Sequence, residues 1–230
     1  MSTRIRPGEI VLTLLALAAA SVSPNLFVVS QAGYAKLSVL AVDVLFPSLA
    51  ILGLVLIFAW RMGYDTLRKQ IMVGIVGGFL ATAGLEVVRE TGFRLGGMPG
   101  EMPMLLGVNL LDRFMMGPNL WSNIAGWSYH FWNGAAFGII YCLLFGRRVW
   151  WFGILYALLI ATVFMASPAV VALGVGRFGV DFGIGFPVTV YAAHIVFGSI
   201  LGYYISRKGL GFTNLINRFG LCHGCGVGSI

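Results

Sequence analysis

The sequence predicts an all-α integral membrane bundle of about six transmembrane helices, and three observations carry that expectation. Hydrophobic residues make up 59% of the 230-residue chain and charged residues only 10%, well below the roughly 25% of an ordinary soluble domain. Mean hydropathy is +0.91, and apolar runs of about 20 residues recur, the length that crosses a bilayer as a helix. The basic residues, 15 Lys and Arg against 8 Asp and Glu, sit mainly in short segments between those runs. A net charge of +7 distributed in this way points to topology control and anionic lipid headgroups, not to nucleic acid.

The chain reads as one membrane domain over residues 1–230. Its first run, 10–29, follows Arg4 and Arg6. Ala18, Ala19 and Ala20 after a short apolar core look like the end of a signal peptide. The apolar character continues through Phe27, Val28 and Val29, so a retained helix is expected, kinked at Pro24. The second run, 37–60, carries Asp43 four residues before Pro47. The third, 71–88, is rich in glycine and holds Glu86 near its end. Residues 89–119 then form the longest stretch expected not to span. Within it, 98–118 reads as an interfacial or re-entrant segment around a short apolar core.

The fourth run, 120–146, stops at Arg147 and Arg148. The fifth, 150–175, opens on Trp150 and Trp151 and is expected to kink at Pro168. The sixth, 185–206, stops at Arg207 and Lys208, and a cytoplasmic tail follows over 207–230. With six spans and both termini in the cytoplasm, the inner segments hold Arg4, Arg6, Arg61, Arg68, Lys69, Arg147, Arg148, Arg207, Lys208 and Arg218. The outer ones hold Lys36, Arg89, Arg94, Arg113 and Arg177. That bias of ten to five obeys the positive-inside rule.

Two spans share the pattern H-x-x-x-G-x-x-x-G: His130, Gly134 and Gly138 in one, His194, Gly198 and Gly202 in the other. Residues i, i+4 and i+8 lie on one helical face, and small residues at that spacing let a second helix approach closely. With one span between them the two helices run in the same direction, as in a parallel internal repeat.

Four ionisable residues fall inside expected spans: Asp43, Glu86, His130 and His194. Asn133 lies beside the first histidine. Such residues are costly in lipid and mark functional sites. The topology puts all four in the outward half of the bilayer. They could form a ligand or proton site, ligate iron, copper or zinc, or hold a b-type haem between the two histidines. They could also be structural contacts, with Glu86 paired to Arg89. His130 lies 17 residues before Arg147 and His194 lies 13 before Arg207, a mismatch of about one helical turn that disfavours haem.

Met98, Met102, Met104, Met115 and Met116 crowd the outer segment. Thioethers bind Cu(I) and also fill irregular apolar gaps. Cys222 and Cys225 form a C-x-x-C that is half a zinc site, a redox pair or incidental. Trp121, Trp127 and Trp132 with Tyr129, and Trp150 with Trp151, sit where an aromatic belt would lie. No nucleotide-binding loop, nucleophile elbow or zinc-protease signature occurs, so no enzyme is expected.

The segment YHFWNGAAFGIIYCLLFG, Tyr129 to Gly146, resembles the YagU-like family of small prokaryotic inner-membrane proteins, as do MPMLLG before it and HIVFGSILG near the end. The resemblance implies a compact helical bundle in a prokaryotic cytoplasmic membrane and transfers no catalytic residue. The expected function is a carrier-like protein or an accessory subunit of a membrane complex, with an outward-half polar site. The alternatives are a redox subunit binding haem or metal through His130 and His194, and a purely structural subunit.

Overall fold

The structure, a computed structural model, describes residues 6–209. Among these residues every regular element is a helix. Helix α1 covers Pro7–Gln31 and α2 covers Leu37–Arg61, the latter with a π-helical turn at Ala41–Leu45. Helix α3 covers Asp65–Arg94, α4 Met102–Leu110, α5 Leu120–Leu144, α6 Phe152–Met165, α7 Pro168–Ala172 and α8 Gly185–Lys208. A 3-10 turn, Arg177–Gly179, precedes α8.

Four of these helices, α1, α2, α3 and α8, are long and apolar enough to cross a membrane. Helix α5 has the length, 25 residues, but interleaves Ser122, Asn123, His130 and Asn133 with its apolar positions. The fifth expected span is corrected. It breaks after Met165, and α7 starts afresh at Pro168. Proline has no N–H for a helical bond and disfavours helical geometry in the residue before it; Ser167 accordingly is extended. At 14 residues, α6 is about 21 Å long, short of a bilayer core of about 30 Å.

Proline acts differently in the first two helices. Pro24 lies inside an unbroken α1. In α2, Pro47 cannot donate to the carbonyl of Asp43. The ladder loosens just before it, and the Phe46 N–H reaches back five residues to the Ala41 carbonyl. The third run also outlasts its expected end. Helix α3 continues through Arg89 to Arg94 and is 30 residues long, about 45 Å.

This long helix is the hub of the bundle, with α5 packed on one side and α8 on another. The α3–α5 seam is built from glycine. A methyl group added at Gly74 would lie 2.6 Å from the Ile139 Cα, and one at Gly78 would overlap the Gly134 carbonyl. Along the seam Gly74 meets Gly138 and Gly78 meets Gly134, so the two helices are antiparallel. On α8, Gly77 meets Tyr204 and Gly92 meets Thr189, again antiparallel. Helices α5 and α8 therefore run parallel to each other.

The second glycine stripe has a different partner. Gly198 and Gly202 pack on Gly153 of α6. Each H-x-x-x-G-x-x-x-G helix thus lies against a helix that precedes it by one short element: α3–α4–α5 in one case, α6–α7–α8 in the other. Small residues line both partners, Gly74, Gly78 and Thr82 in α3, and Gly153, Ala157 and Ala161 in α6.

Two glycine substitutions separate close approach from backbone entropy. Gly78→Ala pushes a methyl into the α5 backbone and is expected to cost about 1–3 kcal/mol. Gly53→Ala in α2 meets nothing within 4 Å and is expected to be neutral or stabilising by about 0.5–1 kcal/mol. Thermal unfolding in detergent reads both; equal effects would contradict the seam.

Candidate functional site

About three turns along α3 from Gly74, on the same stripe, the small residues give way to Glu86. Helical spacing places Arg89 one turn further on, beside it. Both side chains are buried, Glu86 at 7% and Arg89 at 5% residual exposure. The Arg89 Nε donates to both Glu86 carboxylate oxygens at 2.9 Å, and its Nη2 lies 2.7 Å from Oε2. From α5, His130 Nε2 approaches Glu86 Oε1 at 2.8 Å. A carboxylate held by arginine only accepts, so Nε2 carries the proton. The same glycine seam that joins α3 to α5 therefore delivers His130 to Glu86.

The cluster continues towards the surface. Glu90 Oε2 lies 3.9 Å from Arg89 Nη2, and Glu90 Oε1 accepts from Arg94 Nε at 2.8 Å. Side-chain exposure climbs along this ladder, from 9% at Glu86 and 6% at Arg89 to 35% at Glu90 and 77% at Arg94. Alternating charge offsets the desolvation of each buried member. One donor is left over: Arg89 Nη1 is buried without a hydrogen-bond partner among the described residues. A buried, unmade hydrogen bond to a charged group is costly.

Comparison with protein-family models, with curated proteins and with solved structures finds no match to this chain. Its function is therefore argued from the site alone.

The other sequence-selected residues divide. His194, on α8, donates Nδ1 to the Val190 carbonyl at 2.8 Å, and its ring is near enough to His130 for the two to interact electrostatically. At the position of α6 matching Glu86 stands Met165, so the second histidine helix has no acid in the corresponding place. Asn133 faces a different neighbour. Its Oδ1 accepts from Ser23 Oγ at 2.5 Å, and Tyr129 OH donates to the Ser23 carbonyl at 2.7 Å. These bonds clamp α1 to α5 away from the Glu86 stripe. Asp43 is exposed, in the π turn of α2, between exposed Val42 and Val44. It does not join the other three.

Sequence reading missed Ser23 as a clamp residue and foresaw Arg89 only as a structural partner of Glu86, a pairing that is present. Arg89 had a visible signal in its i, i+3 spacing from Glu86; Ser23 had none. Among the described residues no group of three or more His, Cys, Asp or Glu side chains is placed to hold a metal ion. His130 Nε2 is turned onto Glu86 and His194 Nδ1 onto the backbone. Cys222 and Cys225 lie outside the described residues.

Removing one partner of a buried pair strands the other. Glu86→Ala is expected to lower stability by about 3–5 kcal/mol, and the double variant Glu86→Ala/Arg89→Met by less. Chemical or thermal unfolding orders them; a double variant as damaged as the single one would contradict a mutually neutralised pair.

Proposed function

We propose that this is a carrier-like integral membrane protein whose working site is Glu86, Arg89 and His130, with His194 beside them. In this reading six segments cross a prokaryotic cytoplasmic membrane with both termini inside, α6 and α7 forming a broken fifth crossing. The single observation that carries the proposal is the unpartnered Nη1 of the buried Arg89. Arg89 is neutralised by Glu86, so the site is ready for a small solute that brings its own acceptor oxygen. His130 makes no hydrogen bond through Nδ1 among the described residues. That nitrogen is open to a hydrogen bond with a bound solute. Broken helices and buried charge at one depth are the usual materials of a transport site.

Small carboxylates such as formate and acetate are the test. At a concentration 100 times Kd a bound ligand stabilises by about 2.7 kcal/mol, equivalent to a rise in Tm of several degrees. The purified protein is expected to show that rise with at least one of them. Arg89→Lys, which keeps charge but loses the planar fork, is expected to abolish it. A wild-type protein indifferent to every carboxylate tried, or an unaltered response in Arg89→Lys, would overturn the proposal.

An accessory-subunit role has one observation in its favour. Asp43 stands exposed on an apolar face of α2 that also presents Phe46, Leu54 and Phe58, where a partner helix with a donor group would satisfy it. Asp43→Leu is expected to strip partner chains from the gently solubilised protein; an unchanged native mass would count against this role.

A further inference from the structure

At the end of the bundle holding the α3–α4 connection, a cavity of about 320 Å³ opens between α4 and the turn that follows it. Met98, Met102 and Met104 line it, together with Glu101, Phe114 and Leu173. We propose that this cavity is a Cu(I) site, with the three thioethers as ligands and Glu101 as the counter-charge.

The donor set makes the argument. Thioether sulfur is soft, and softness selects Cu(I) over Zn(II), Mg(II) or Ca(II). Glu101 is the one ionisable residue on the wall, and one carboxylate neutralises one monovalent cation. That carboxylate makes no side-chain hydrogen bond among the described residues and feels only the more distant charge of Arg94. Glu101 occupies the N-cap position of α4 without making a side-chain cap bond, and it forms no ion pair among the described residues. Met102 and Met104 follow it in the first turn of the helix, so all three sulfurs come from seven consecutive residues.

Gap-filling, the ordinary use of methionine, accounts for only part of the pattern. Met98 is buried, but Met104 is 36% exposed. Met115 and Met116 are exposed at 92% and 68%, on the same turn as the cavity residues Phe114 and Gly117. They fill nothing, and in sequence they lie between two residues of the cavity wall. Methionine's three rotatable bonds let the sulfurs close around a single ion in a space wider than the ion itself. The inference does not rest on the Glu86–Arg89–His130 reading.

The test is Cu(I) titration of the full-length protein under ascorbate, in competition with a colorimetric Cu(I) chelator. A Cys222→Ser/Cys225→Ser background removes the competing tail thiols. One equivalent is expected to be retained by the background protein. Met98→Leu/Met102→Leu/Met104→Leu, which keeps apolar volume, is expected to weaken retention at least tenfold, and Glu101→Gln by less. Should the triple variant fail to fold, Met104→Leu alone reads the same site, with a several-fold loss expected. Failure of the background protein to hold Cu(I) against the chelator overturns the site. So does equal retention in the leucine variants.

Discussion

The close approach of α3 and α5 is the constraint on which the rest depends. Facing glycines bring the two backbones into contact at Gly74, Gly78, Gly134 and Gly138. Helices in lipid gain little from burying apolar side chains, because the solvent is equally apolar; packing and interhelical hydrogen bonds hold them together. A seam of glycines maximises the first. The second appears about two turns beyond the last facing glycine, where Glu86 meets His130 across the seam. Packing and polar contact are thus parts of one stripe, and the small residues set the distance at which the large ones meet.

That stripe explains how charge survives in the interior. Glu86 has three donors aimed at it, two from Arg89 and one from His130. Arg89 shares its positive charge between Glu86 and, at longer range, Glu90. The ladder ends at an exposed Arg94, so the buried charges are continuous with the bundle end rather than marooned. The second histidine helix uses the same glycine spacing against α6 without any such acid. Identical packing devices therefore carry a charged cluster in one half of the molecule and an apolar contact in the other. A role confined to packing would need no Glu86, and α6 shows the seam made without it.

Much of the architecture was legible from residues alone. The helix positions, the short apolar helix inside 98–118 and the packing role of the glycine stripes follow from run length and i, i+4 spacing. Departures have local causes. Arg89 looked like the start of a loop because a charged residue beyond an apolar run usually is one; here Glu86 neutralises it and the helix goes on to Arg94. Pro168 was read as a kink, but Ser167 before it turns extended, its N–H closes on the Phe164 carbonyl, and the helix stops. Asp43 was grouped with the other ionisable residues by depth, and depth says nothing about facing. The π turn before Pro47 rotates it outward. Asn133 is three residues from His130, yet faces α1 instead of α3. Which partner each glycine stripe would choose was not readable, since both stripes carry the same letters and only tertiary contact distinguishes α3 from α6.

The central claim is that Glu86 and His130 touch across the α3–α5 seam and stabilise one another. A double-mutant cycle over Glu86→Gln and His130→Gln, read by unfolding of the detergent-solubilised protein, addresses it directly. Residues in one hydrogen-bonded cluster couple by about 0.5–3 kcal/mol, and the account predicts a coupling inside that range. Additive losses, within about 0.3–0.5 kcal/mol, would show two residues that do not meet and would contradict it.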